Sequence, residues 1–185
     1  MHRDEKWQVF AVNGEPVDGE WWDAGLGNPE VTGSDKIVGI AIVFLYRKNE
    51  AGELELLWQR RSDAVDRYPG DWDISAGGHI NLGESRPAAA VREAYEEIGA
   101  KVRENELRMV TENAFNLNRF AWIYLVDWTG REEAFSFNDA EVSEVKWVKF
   151  SETREFMKKY AKAPLKDDAA TVLALENWFK AHGDL

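Results

Sequence analysis

Apolar positions along the chain fall into short runs that set out its elements. Ile37–Arg47 is an almost unbroken apolar run, rich in β-branched and aromatic residues, and predicts a buried strand. A turn at Asn49–Gly52 returns the chain as a second strand over Glu53–Arg60. A loop follows, then a Pro69-Gly70 turn and a short strand at Trp72–Ser75. Ser85–Ile98 has helical spacing, with Val91, Ala94, Tyr95 and Ile98 on one face. Ser85 stands at its N-cap, Pro87 lies in its first turn and Gly99 stops it. Strands are predicted at Leu107–Thr111, Phe120–Trp128 and Val145–Lys149, and amphipathic helices at Ser151–Ala161 and Asp168–Ala181, separated by Pro164. Residues 1–35 read as an N-terminal extension with turns at Asn13-Gly14 and Gly25–Pro29, and the Trp7–Val12 run offers a hairpin strand. Mixed strands, few helices and a late helical pair indicate an α/β layered sandwich. The extension packs on a domain of residues 36–185, whose C-terminal helices lie within 151–181.

Composition narrows the function. At 185 residues the chain suits one domain with small additions. It has no cysteine, which rules out disulfides, thiolate metal sites and a cysteine nucleophile. Its longest apolar stretch, Ile37–Tyr46, is too short for a span of about 20 residues, and MHRDEKWQ has no hydrophobic signal core. A soluble, cytoplasmic protein is expected. The net charge of −11 argues against a broad nucleic-acid or anionic-membrane surface. An anionic ligand therefore needs a local device, either a bound cation or a small arginine cluster. Most of the nine tryptophans are expected in the core.

One helix carries the candidate chemistry. Glu93, Glu96 and Glu97 share a face at i, i+3 and i+4, with Arg92 on its flank. Like charges at these spacings cost roughly 0.2–0.5 kcal/mol per pair, and the helix has no lysine to relieve them. A hard dication would turn this repulsion into coordination, whereas a solvated acidic face would need no ligand. The segment Gly77-Gly78-His79-Ile80-Asn81-Leu82-Gly83-Glu84 leads directly into the helix, and its glycines allow close backbone approach and free a carbonyl to ligate metal.

Gly78, Glu84, Arg92, Glu93, Glu96, Glu97 and Gly99 together fill a defined spacing that resembles the Nudix box, G-x5-E-x7-R-E-U-x-E-E-x-G-U. Its two bulky-aliphatic positions hold the smaller Ala94 and Ala100. The resemblance implies a Nudix-type α/β/α sandwich with a mixed sheet and a loop–helix–loop that binds Mg²⁺ or Mn²⁺. It implies a hydrolase that cleaves the diphosphate linkage of a nucleoside diphosphate derivative by water attack on phosphorus. Glu93, Glu96 and Glu97, with the Gly78 carbonyl, match the family's metal ligands. Arg92 matches the residue that orients those glutamates, and Glu84 the one that supports the loop.

Some members add an acid six residues before a late-strand tryptophan. Glu141 stands there relative to Trp147, with Glu144 as runner-up, and either is equally readable as a surface acid. Arg60, Arg61 and Arg67 precede the box and suit a phosphate clamp, or serve as loop partners of Asp63 and Asp66. His79 either touches metal or phosphate or is a hydrogen-bonded loop histidine. The run YPGDWDISAGGHINLGES and the leading segment resemble the isopentenyl-diphosphate isomerase branch. An isomerase is the alternative reading, but residue 77 is Gly where the isomerase has its catalytic cysteine, and the only histidines are His2, His79 and His182. A non-catalytic binding module is a second alternative, countered by the full set of box glutamates. Neither the proline of ADP-ribose enzymes, where Phe115 stands, nor the tyrosine of dinucleoside-polyphosphate enzymes, near Asn116–Asn118, is present. The expected partner is a small diphosphate, with no nucleic acid and no membrane; a homodimer is allowed.

Overall fold

The alternation within Ile37–Lys48 decides the architecture. In the computed structural model this run is strand β3 (Ile37–Lys48). The structure describes residues 4–26, 29, 35–114, 119–132, 134–137, 140–162 and 168–185, without the side chains of 113 and 114. Ile40, Ile42, Phe44 and Tyr46 enter one core, while Ala41, Val43 and Leu45 enter another. A strand apolar on both faces needs a covering layer on each. Helix α1 (Arg86–Ile98) covers the odd-numbered face with Ala89, Ala90, Ala94 and Ile98. Helices α2 (Thr153–Tyr160) and α3 (Ala169–His182) cover the even-numbered face with Phe156, Met157, Val172, Leu175 and Phe179. Each fully buried large aliphatic side chain contributes roughly 1.5–3 kcal/mol, so the two cores hold the layers together. The result is an α/β/α sandwich.

The sheet is mixed. Strands β1 (Lys6–Phe10) and β2 (Pro16–Asp23) form a hairpin, and β1 joins β3 antiparallel at Val9↔Val38. Strand β4 (Leu54–Arg61) pairs β3 only at Tyr46–Lys48, then diverges to pair β9 (Val142–Lys149) and, at Gln59 and Arg60, the short β5 (Trp72–Asp73). Strand β6 (Ala76–His79) takes the position that β4 leaves beside Ile40–Val43. On the other edge of β3, β8 (Arg119–Asp127) runs parallel and is followed by antiparallel β7 (Arg108–Ala114).

Details differ from the sequence reading. Ala76–His79, read as loop, is a strand; its glycines have no side chains to reveal the alternation. Tyr95, assigned to the apolar face of the helix, is 52% exposed, and Ala89 and Ala90 face the sheet in its place. The segment read as a helix over Ser151–Ala161 opens with one 3₁₀ turn at Phe150–Glu152 before α2 begins. Ala94 and Ala100 are fully buried, so the small residues bring α1 close to the sheet. Phe115, Asn116–Asn118, Pro164 and part of the Gly25–Pro29 turn lie outside the described residues. Among the described residues no helix is long and apolar enough to cross a membrane.

Candidate metal centre

Strand β6, the loop after it and α1 build the site. Backbone pairing fixes β6 against β3 from Ile40↔His79 to Val43↔Ala76. The loop closes on itself: Asn81 N–H donates to Glu84 Oε2 (3.0 Å) and Glu84 N–H to the Asn81 carbonyl (2.9 Å). Helix α1 then starts at Ser85, whose hydroxyl accepts from Ala88 N–H, and stops at Gly99, whose φ of 67° suits a residue without Cβ. The N-terminal hairpin braces the loop from outside. Gln8 N–H donates to the Ile80 carbonyl (2.9 Å), Leu82 N–H to the Lys6 carbonyl (2.8 Å), and the Trp7 ring stacks on His79 at 3.5 Å.

Arg92 organises the acids. Its Nε and Nη2 grip Glu84 Oε1 and Oε2 at 2.8 and 3.0 Å, and Nη1 donates to Glu93 Oε1 (2.7 Å) and Glu96 Oε2 (3.0 Å). Nη2 also donates to the His79 carbonyl (2.9 Å). Burial works against its charge, but the hydrogen bonds to Glu84 and the charges of Glu93 and Glu84 outweigh it and raise its pKa. Glu97 is buried, at 8% exposure, and its Oε2 accepts from Gln59 Nε2 and Gly77 N–H, both at 2.9 Å. Burial lifts the Glu93 carboxyl to about 7 against the pull of Arg92, with Glu96 and Glu5 adding to the rise. Burial, then the charge of Glu93, pushes Glu97 well above the ordinary carboxylate range, with Asp73 adding to it and the Gly77 and Gln59 hydrogen bonds offsetting part.

Among the described residues no group of three or more acidic or histidine side chains stands in metal-ligating geometry. The reason is visible: Arg92 draws Glu93 and Glu96 to itself, and Glu97 turns toward β6. The donor set nevertheless fits a hard dication. Burial raises the pKa of both the Glu93 and Glu97 carboxyls on one helix face, the charge of Glu93 adds to the rise at Glu97, and oxygen ligands suit Mg²⁺ or Mn²⁺. A Cβ on Gly78 would stand 2.7 Å from Glu93 Oε2, so only glycine leaves that carboxylate room beside the strand. The Gln59 Oε1 atom, next to Glu97, is buried and has no hydrogen-bond partner among the described residues, an acceptor suited to a bound water.

The structure sorts the remaining candidates. Arg61 lies near the acids, with Nη1 3.6 Å from Asp73 Oδ2. Arg60 does not: Nε donates to the Gly70 carbonyl and Nη2 pairs with Asp63 at 3.2 Å, the loop role weighed for it. Arg67 is exposed and stands over the Tyr68 ring. The His79 ring is committed to Trp7; burial, then the charges of Arg119 and Arg92, drives its pKa down to about 3, so it is neutral. Its contribution to the site is its backbone carbonyl. Glu141 accepts Ser62 N–H on its carbonyl (2.7 Å), beside the end of β4. Glu144 is exposed opposite Arg60 in the β4–β9 ladder, on the face away from α1. Glu97, read as lying on an outward acidic face, is instead covered by the sheet. Sequence reasoning missed Gln59 on β4 and Asp73 on β5, which reach the cluster through strand pairing, and Glu5, just before β1, whose charge acts on Glu93. For Gln59 the signal was a polar residue interrupting the apolar run of Leu54–Arg61.

The comparisons with known proteins agree with the fold. The NUDIX domain family matches residues 36–169. Nudix hydrolase 3 of Arabidopsis thaliana is 37% identical over 116 residues, 57% of this chain and 15% of its own length. An uncharacterized Nudix hydrolase of Listeria monocytogenes is 34% identical over 91 residues, 45% of this chain and 53% of its own. The chain thus spans well under two thirds of either relative. A crystal structure of DR0079 from Deinococcus radiodurans superposes with a TM-score of 0.65 at 20% identity, covering 93% of this chain and 98% of that one.

Proposed function

The chain belongs to the Nudix family, and from that premise we propose that it is a divalent-metal-dependent pyrophosphohydrolase. Its substrate is a nucleoside diphosphate derivative or a related small pyrophosphate. The observation that carries this reading is the Arg92-centred array: one guanidinium bonded to Glu84, Glu93 and Glu96, with Glu97 buried against Gly77 one turn on. A metal ion held by Glu93, Glu96, Glu97 and the Gly78 carbonyl would neutralise phosphate oxygens and lower the pKa of a bound water. The chain's own residues do the rest. Arg92 fixes the glutamate rotamers and ties them to the Glu84 loop and the His79 carbonyl. Gln59 and Gly77 orient the Glu97 carboxylate. The Trp7–His79 stack keeps the loop seated on the sheet. Glu141, on the loop entering β9, is the proposed acid from outside the box and takes the water's proton or a further cation. Cytoplasmic location is part of the proposal, and a homodimer stays allowed.

The isomerase alternative has a steric objection. A Cβ at residue 77 would come within 2.8 Å of both the Ala41 carbonyl oxygen and Ile74 Cδ1, so this backbone does not accept a cysteine there. The test is a panel of nucleoside diphosphate derivatives assayed with Mg²⁺ and Mn²⁺ for phosphate-containing products. Cleavage that requires the metal supports the reading. Isomerisation of an allylic diphosphate, or binding without turnover across the panel, would replace it.

A further inference from the structure

Beyond the box, the end of α2 brings an unassigned lysine to the same sheet face. Ala161 bridges Trp72 in parallel, and Lys162 N–H donates to the Trp72 carbonyl (3.0 Å), so the chain after α2 extends the sheet edge beside β5. Ala161 enters the core under α2 and α3. Alternation turns Lys162 to the opposite face, where its Nζ ion-pairs with Asp73. Arg61 approaches the same Asp73 oxygen from β4, at 3.6 Å, and is steadied by donating Nε to the Arg67 carbonyl. Asp73 is the ladder partner of Gln59, whose amide donates to Glu97. A continuous row therefore runs from Lys162 through Asp73 and Gln59 to the box helix.

Among the described residues, the charges of Arg61, Asp73 and Lys162 do not cancel. One carboxylate, 4% exposed, holds two cations that keep 17% and 25% of their side-chain surface. The trio carries one excess positive charge in a chain of net charge −11. Burying charge is rarely favourable for stability alone, and an unbalanced, solvent-accessible cation is better suited to receiving an anion. Arg61 supplies a planar fork and Lys162 a point charge, a pairing that suits phosphate oxygens.

Resting on the function proposed above, we propose that Arg61 and Lys162, held apart and aimed by Asp73, form a phosphate-binding clamp beside Glu97. The clamp takes the phosphoryl group of the substrate that the box carboxylates do not serve. Arg61 and Lys162 touch substrate, and Asp73 is a positioning residue. Lys162 is reachable from solvent, so Lys162→Met can be made without opening the core, and Lys162→Arg restores the charge.

The decisive experiment titrates inorganic pyrophosphate calorimetrically into wild type, Lys162→Met and Lys162→Arg, with and without Mg²⁺. The steady-state KM and kcat of the same proteins are measured alongside. The proposal predicts pyrophosphate binding weaker by at least about tenfold in Lys162→Met, with KM raised as much, kcat within about threefold and rescue in Lys162→Arg. Equal pyrophosphate affinity in all three proteins, with only the thermal midpoint lowered in Lys162→Met, would overturn it and leave a structural ion pair. The titration needs no turnover. Failure of hydrolysis would refute the enzymatic reading, and the clamp would still be judged by pyrophosphate affinity.

Discussion

The substitution Glu97→Gln removes a buried negative charge while nearly keeping its shape. The glutamine carbonyl can still accept from Gln59 Nε2 and Gly77 N–H, the two bonds that now end on Oε2. What disappears is the repulsion with Glu93 and Asp73 and the cost of burying the charge. Both carboxyls have folded-state pKa values above their unfolded ones. The stability associated with them is therefore fully present below about 4.5 and, for Glu93, is lost as pH rises through about 7. That rise corresponds to roughly 3 kcal/mol for Glu93 alone. Removing the neighbouring charge should recover about 1–3 kcal/mol in the metal-free protein near pH 8. For a chain of this length each kcal/mol moves the midpoint by about 2–4 °C, so a rise of roughly 2–12 °C is expected in EDTA. The assay is thermal unfolding followed by circular dichroism across pH, in EDTA and in Mg²⁺, together with kcat/KM. Glu97→Gln should be more stable without metal, gain less from Mg²⁺, and lose at least about a hundredfold in kcat/KM. A lowered midpoint with activity intact would show that Glu97 is only a structural acceptor.

Other expectations follow from the same geometry. Gly78→Ala places its methyl on the Glu93 carboxylate, the end of a flexible side chain, so kcat/KM should fall by about tenfold or more while the midpoint moves by only about 2 °C. Steady-state rates should drop strongly in Glu141→Gln and stay near normal in Glu144→Gln, whose carboxylate stands on the face away from α1; the reverse pattern would move the assignment to Glu144. Trp7→Ala removes a buried ring stacked on His79 and should cost about 3–5 kcal/mol in denaturant unfolding, and an unchanged midpoint would mean that the hairpin does not brace the loop.

The fold was largely legible because its signals are local. The apolar run of Ile37–Lys48, the caps of α1 at Ser85 and Gly99, and the hairpin turn at Asn13-Gly14 each act within a few residues. The box was legible for the same reason, since one loop and one helix carry it. What sequence spacing does not contain is which face a helix turns inward. Glu97 has the spacing of an exposed acid, yet the missing side chains of Gly77 and Gly78 let β6 come close enough to cover it. Groups brought in by long-range pairing were invisible on the same grounds. Asp73 meets Gln59 only through the β4–β5 ladder, and Lys162 meets Asp73 only because the chain after α2 joins that edge. His79 read as a candidate contact because it follows the ligating glycine, but Trp7, distant in sequence, claims its ring.

In the proposed function the Glu93–Glu97 cluster of this Nudix chain supports attack of a metal-activated water on phosphorus. It is tested most directly by turnover of a nucleoside diphosphate derivative in water enriched in the heavy oxygen isotope, with mass analysis of the phosphate products. Solvent oxygen is expected in one phosphate product per cleavage, formed only with Mg²⁺ or Mn²⁺ and lost in EDTA and in Glu97→Gln. Undiminished cleavage in EDTA, or products without solvent oxygen on phosphorus, would contradict it.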